Sequence, residues 1–184
     1  MWNFERMTRR YFTMLIVMAS LCGGGCSKAS SDGAPSTDHK RSAVPSTVPL
    51  PVASEAEGEA GAVYRAMWQD LTVASATSDA TSPLLDDHAR GDALELMRYG
   101  LKKAKKERVV TKGEPHVAPK VVKATRQEAQ LEDCVDGTDW LQYELNGELK
   151  NDVPGSHRKA DAIVRREGGV WKVSSFHVYE AGSC

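Results

Sequence analysis

The chain has 184 residues, with 24 basic and 25 acidic side chains and a formal net charge of −1. That length suits one ordinary domain with a leader and a linker, not a multi-domain machine, and the charge balance excludes a chain-wide basic footprint for nucleic acid. With 41% apolar and 27% charged residues and 4 cysteines, the composition is neither collagenous, coiled-coil nor disulfide-dense.

At the N-terminus Arg6, Arg9 and Arg10 precede an apolar run from Tyr11 to Leu21, followed by Gly23, Gly24, Gly25 and Cys26. A basic segment, a short apolar one and small residues predict a signal peptide over residues 1–25. The run falls short of the about 20 residues that span a bilayer, and no later segment reaches that length, so the mature chain is not expected to span one. The small residues before Cys26 resemble the bacterial lipoprotein lipobox, in which a peptidase must approach the backbone closely. That resemblance implies an acylated (palmitate-bearing) Cys26 and a protein held at the extracytoplasmic face of the plasma membrane. Gly23 stands where the motif usually has Leu; the alternative is an ordinary secretory signal with an incidental cysteine. Thr8-Arg9-Arg10-Tyr11-Phe12 resembles the twin-arginine export motif, which implies export of a folded protein.

Residues 26–53 read as a lipid-anchored disordered linker. Small and polar residues dominate, punctuated by Pro35, Pro45, Pro49 and Pro51, and such a segment cannot bury enough surface to offset its ordering entropy. As a flexible coil it reaches roughly 30 Å. Function is therefore expected in residues 54–184.

Ser54 is placed to cap a helix, with Glu55, Glu57 and Glu59 in its first turns, where acids complement the helix dipole. Val63, Met67, Leu71 and Ala74 then form one apolar stripe. A polar break runs from Ser75 to Ser82, and Pro83 opens a short helical turn. A second long helix is predicted from Arg90 to Lys106, burying Ala93, Leu94, Met97, Leu101 and Ala104. Beyond Glu107 the period becomes extended. Val109-Val110 lead a strand that stops at Gly113-Glu114-Pro115, and Val117 to Val135 read as a long strand or strand pair. Trp140 to Leu145 follow, with a hairpin signal at Asn146-Gly147. After a turn at Pro154-Gly155, Arg158 to Arg166 alternate Ala160, Ala162 and Val164 with charge. Gly168-Gly169 close a hairpin onto Val170 to Tyr179. Helices followed by hairpin-linked strands predict an α+β fold.

Cysteine arithmetic fits export. Cys22 lies in the leader and Cys26 takes the lipid, which leaves Cys134 and Cys184 as a pair in an oxidising compartment. A bridge between them encloses about 50 residues; a metal site is the poorer alternative, with no Cys-x-x-Cys in the chain.

Helices first, then a meander ending in Gly168-Gly169-x-Trp171-x-Val173, resemble the NTF2-like (SnoaL-like) superfamily. Asp133-Cys134, Trp140, Gly147, Trp171, Val173 and Cys184 resemble the pattern of small actinobacterial secreted lipoproteins of that superfamily, over roughly residues 60 to 184. The resemblance implies N-terminal helices packed on a curved antiparallel sheet that forms a cone with a pocket. It implies no activity, because that fold hosts enzymes and inert binding modules alike.

The residues carry no Walker loop, no Gly-x-Ser-x-Gly and no His-Glu-x-x-His. Ser156-x-x-Lys159 matches a penicillin-binding nucleophile by letter only. Asp86, Asp87, His88 and Asp92 read as acids at a helix start rather than a metal site, and Asp133, Asp136 and Asp139 as a polar turn rather than a calcium loop. No metal or cofactor is expected. On an extended strand His177 would share a face with Trp171, Val173 and Tyr179. If that face lines the cone, His177 with Tyr143 or Asp70 makes an acid–base pair, as the resemblance to dehydratases and isomerases implies; a packed or half-exposed strand histidine is the plainer alternative.

Between positions 102 and 126 nine basic residues (Lys102, Lys103, Lys105, Lys106, Arg108, Lys112, Lys120, Lys123 and Arg126) face two acids, Glu107 and Glu114. This stretch suits anionic lipid headgroups or wall polymers. A solvated helix C-terminus with lysines that guard an edge strand is the plainer reading and is preferred. The chain as a whole reads as a lipid-anchored, non-enzymatic envelope module that binds a partner protein or a small apolar ligand, and not nucleic acid. The alternatives are a cone-pocket enzyme of dehydratase or isomerase type and an electrostatic adaptor on anionic lipid or polymer.

Overall fold

The computed structural model describes residues 52–184 apart from Pro154. The expected leader, Cys26 and all but the last two positions of the expected linker lie outside the described residues. Among the described residues three helices come first: α1 (Val52–Ser75), α2 (Leu85–His88) and α3 (Gly91–Lys106). Six strands follow: β1 (Val109–Lys112), β2 (Lys120–Ala124), β3 (Glu128–Asp136), β4 (Leu141–Glu144), β5 (His157–Glu167) and β6 (Val170–Val178). The α+β arrangement expected from the sequence is present, with helices packed on antiparallel sheets.

α1 is held by one buried face. Ala56, Ala60, Tyr64, Met67, Trp68, Leu71 and Ala74 are all buried, at spacings of three and four, so packing offsets the propensity cost of Gly58 and Gly61. The helix already runs through Ser54 instead of being capped there. α3 buries Ala93, Met97, Gly100, Leu101 and Ala104, close to the predicted face. Its last turn carries Lys103, Lys105 and Lys106, where cations complement the dipole.

The main sheet has the order β2-β3-β5-β6, antiparallel throughout. Its inner face stacks in rows across three strands: Ala129, Val164 and Val173; Leu131, Ala162 and Phe176; Asp133, Ala160 and Val178. All but Val178 in those rows are buried, and Val178 packs against the core they form. Along the outer edge of β6, Ala89 bridges Val173 and Arg90 N–H donates to the Val173 carbonyl at 2.9 Å. β2 is the opposite edge.

Two features depart from the simple meander. First, β4 leaves the main sheet and pairs with β1, in register from Val109↔Glu144 to Lys112↔Leu141. The Asn146-Gly147 turn does form, with Gly147 N–H donating to the Glu144 carbonyl at 2.9 Å. Its return arm makes one bridge, Tyr143↔Leu149, and β4 finds its ladder in β1 instead. Second, β6 carries a bulge. Ser175 opposes Ile163 and Val173 opposes Val164, so Ser174 is the extra residue. A side-chain period of two must change face across such a bulge.

The Cys134–Cys184 disulfide is present, with a Cα–Cα distance of 5.9 Å and a sequence separation of 50. The tail that reaches it is also held by Lys159 N–H on Ser183 Oγ (2.8 Å) and Gly182 N–H on the His157 carbonyl (2.8 Å). Among the described residues no helix is long and apolar enough to cross a membrane.

Candidate functional site

Between α1 and the inner face of the sheet, the structure gathers polar atoms among aromatic rings. Tyr64 and Trp68 sit one turn apart on α1, with ring centroids 6.4 Å apart, edge to face. Phe176 of β6 meets both, at 6.2 Å from Tyr64 and 5.3 Å from Trp68. Trp140 stands edge-on to Trp68 at 5.7 Å. It is placed by a tight turn in which its N–H donates to the Gly137 carbonyl at 3.0 Å. Asp133 enters from β3, buried at 7% exposure.

Six buried side-chain polar atoms lack a hydrogen-bond partner among the described residues, and four of them belong here: Tyr64 Oη, Trp68 Nε1, Asp133 Oδ2 and Trp140 Nε1. Buried polar groups are normally paired, and each exception asks for an explanation. The other carboxylate oxygen, Asp133 Oδ1, accepts from Ala118 N–H at 3.1 Å. Burial raises the Asp133 pKa above its ordinary value; the Ala118 N–H and the neighbouring Tyr64 pull the other way, and the charge of Arg65 pulls last. Burial drives the Tyr64 phenol far upward. The Trp68 indole lowers it, and the Asp133 charge adds to the rise. Trp68 and Asp133 thus lie close enough to perturb Tyr64, but neither joins it in full hydrogen-bonding geometry. A neutral phenol, two indole donors and a carboxyl that protonates readily suit one guest group able both to accept and to donate.

The residues singled out in the sequence fall elsewhere. Asp70 does join a histidine, but the partner is His88 of α2: Asp70 Oδ2 lies 2.7 Å from His88 Nδ1. Burial raises the Asp70 pKa, and the His88 contact pulls it back down. Tyr143 sits in the β1–β4 ladder beneath Lys112 Nζ, 5.0 Å from its ring centroid. His177 does not share a face with Trp171 and Val173. The Ser174 bulge turns it to the outer face, opposite Asp161. There its ring lies 4.5 Å from Tyr179, whose hydroxyl donates to Asp161 Oδ2 at 2.6 Å. Asp86 accepts from Arg98 at 2.9 Å. Among the described residues no group of three or more His, Cys, Asp or Glu is arranged to hold a metal.

Asp136 makes the polar turn expected of it, accepting from Thr138 N–H at 2.9 Å and Thr138 Oγ1 at 2.6 Å. Asp133 does not belong to that turn. Its signal lay in the strand period, because it alternates inward with Ala129, Leu131 and Val135. Tyr64 and Trp68 extend the α1 stripe by the same spacing that links Ala56 and Ala60. The nine basic residues divide: Lys102 to Lys112 surround the α3 C-terminus and β1, whereas Lys120, Lys123 and Arg126 lie on and beside the β2 edge.

No protein-family model and no curated protein matches the chain. Several solved structures align with the chain. The intermembrane-space region of the chloroplast protein ARC6 aligns at 16% identity over 72% of this chain and 100% of its own, with a TM-score of 0.47. A candidate aromatic ring hydroxylase from Novosphingobium aromaticivorans aligns at 11% identity over 65% of this chain and 87% of its own, TM-score 0.45. A candidate scytalone dehydratase from the same organism aligns at 11% over 65% and 83%, TM-score 0.42. At these identities and scores the likenesses carry no argument about what this chain does.

Proposed function

We propose that the domain is a binding module of the cell envelope, lipid-anchored through Cys26, that takes a small, compact ligand between α1 and the sheet. One observation carries the reading: the four unpartnered polar atoms of Tyr64, Trp68, Asp133 and Trp140, buried among aromatic rings. A ligand with an apolar ring and one hydrogen-bonding group would pair the indole N–H groups and the carboxyl while it packs on the rings. Neither polar side chain of the pair is set up as a strong base, since burial keeps Tyr64 protonated and favours the neutral form of Asp133.

Titration of the 15N-labelled protein with phenol, benzamide, benzylamine and benzoate tests this. Phenol or benzamide should shift the Trp68 and Trp140 indole resonances, and Asp133→Asn should weaken the effect several-fold. If none of the four probes moves either indole, the cluster is ordinary core. Mass spectrometry of the mature chain tests the anchor: an acylated Cys26 at the N-terminus is expected, and an unmodified terminus elsewhere removes it.

A second reading, a dehydratase or isomerase, has one observation in its favour. The largely buried Asp70 carboxylate grips His88 Nδ1, which orients the imidazole and leaves Nε2 as the atom for proton transfer. The same titration separates the two. An enzyme of this kind requires the probes to shift the His88 ring signals, and the binding reading leaves them unmoved.

A further inference from the structure

The β4–β5 connection and the end of α3 form a surface whose residues fit neither core nor ordinary loop. Leu145 is 63% exposed, Leu149 50% and Val153 62%, all within one loop. On α3 the phenol of Tyr99 is 59% exposed, and Lys102, Lys103 and Lys106 follow it at spacings of three, four and seven, which share its side of the helix. The two segments are tied together. Lys150 Nζ donates to Glu107 Oε2 at 3.0 Å, and Lys103 Nζ reaches Glu107 Oε1 at 3.9 Å. The ladder of β4 on β1 holds the base of the loop against the helix end. Lys102, Lys105, Lys106, Arg108 and Lys112 are exposed around it. Glu107 is held between lysines, so its charge is compensated; the other acids on these segments are Glu114, Glu144, Glu148 and Asp152, and Asp79 is close enough to feel the charge of Lys105.

Apolar side chains raised on a loop among lysines, beside an exposed tyrosine, are the elements of an interfacial membrane contact. Leucines enter the headgroup–acyl boundary, the phenol sits at headgroup level, and lysines pair with anionic lipids. A solvated helix end needs the lysines but has no use for three exposed aliphatics on the adjoining loop. We infer that this surface docks the domain onto an anionic lipid bilayer, with Leu145 and Leu149 as the inserting residues and the basic residues around the α3 C-terminus as the headgroup contacts. The cluster of Tyr64 and Asp133 between α1 and the main sheet then works on a domain held at the membrane by its own surface. The inference stands without the lipid anchor, since it concerns the folded domain's own surface.

The test reads the loop directly, so that an acyl chain or leader elsewhere in the protein cannot imitate it. The full chain is incubated with vesicles of phosphatidylglycerol or of phosphatidylcholine, and backbone hydrogen exchange is followed by mass spectrometry. Exchange in residues 145–153 should slow at least several-fold with phosphatidylglycerol and little with phosphatidylcholine. The slowing should vanish in L145S/L149S, and should weaken in K102E/K106E and at high salt. Both variants change exposed side chains, and an unaltered melting curve verifies that they fold. Equal exchange with both lipids, slowing that survives L145S/L149S, or slowing caused only by soluble polyglycerol phosphate overturns the inference; the last outcome assigns the surface to a wall polymer.

Discussion

Trp171 Nε1 donates to Glu59 Oε2 at 2.7 Å, which joins the last strand to the second turn of α1 across 112 positions of sequence. Trp171 is 6% exposed, and this bond satisfies its single polar atom. Glu59→Ala should cost about 1–2 kcal/mol, a hydrogen bond to a charged acceptor that leaves its donor unpaired. Glu59→Gln should recover most of that. Denaturant midpoints at unchanged slope would measure both, and a neutral alanine variant would mean that water replaces the carboxylate.

The disulfide closes a loop with a sequence separation of 50. On the loop-entropy model its loss by Cys184→Ser should destabilise the domain by about 4 kcal/mol. Unfolding with and without reductant measures the same quantity. The β5 end is expected to loosen first, because Lys159 and His157 hold the tail by backbone contacts that the bridge keeps in place.

Asp133 makes stability depend on pH in the direction opposite to most carboxylates. Its folded pKa is raised above the ordinary 3.8 by burial, so the unfolded chain ionises first as pH rises. The stability associated with the protonated group is present below pH 3.8 and is lost as pH climbs through the folded value. Half-buried Asp136 has the opposite sign: Thr138 holds its pKa below 3.8, so its contribution disappears on acidification. Asp133→Asn keeps an acceptor for Ala118 N–H and removes the charge. It should stabilise the domain at pH 7 and flatten the fall in stability as pH rises above the ordinary carboxylate range. Urea unfolding between pH 4 and pH 7 decides this, and an unchanged profile would show that Asp133 stays solvated.

Gly113 has φ of +82°, and a Cβ there would run into the Asp139 carbonyl oxygen. Asp139 precedes Trp140, so Gly113→Ala should shift the backbone that positions the indole. A loss of about 2 kcal/mol or more is expected, together with a displaced Trp140 indole resonance. Preservation of that resonance would show that the turn yields without moving the site.

His177→Ala, by contrast, should change stability by less than about 1 kcal/mol and leave the Trp68 and Trp140 indole signals in place. A change in ligand-induced shifts in this variant would return His177 to the site.

The elements were legible from the sequence because periodicity and punctuation agree with packing. The polar break after α1, the α3 face and the Gly168-Gly169 turn all stand where local patterns put them. The partner of β4 was not legible: a short strand of intermediate burial carries no address, and non-local pairing is decided by what else is free to pair. The site was half legible. Asp133 announced itself as an acid in an inward alternation but was grouped with Asp136 and Asp139 by proximity in sequence. Asp70 meets His88 and not His177, because α2 folds back onto α1 by tertiary contact, which local sequence does not display. Parity counted forward from Trp171 misplaces His177, because a bulge has no signature that a run of Lys, Val and Ser can display.

That bulge has a consequence for how the strand tolerates change. Deletion of Ser174 would leave a regular strand with the same partners on β5, so Phe176 would still oppose Ala162 and pack on Tyr64 and Trp68, and His177 would still face outward. The strand therefore carries one residue more than its pairing needs: one codon can be lost at this point without turning the end of the strand inside-out.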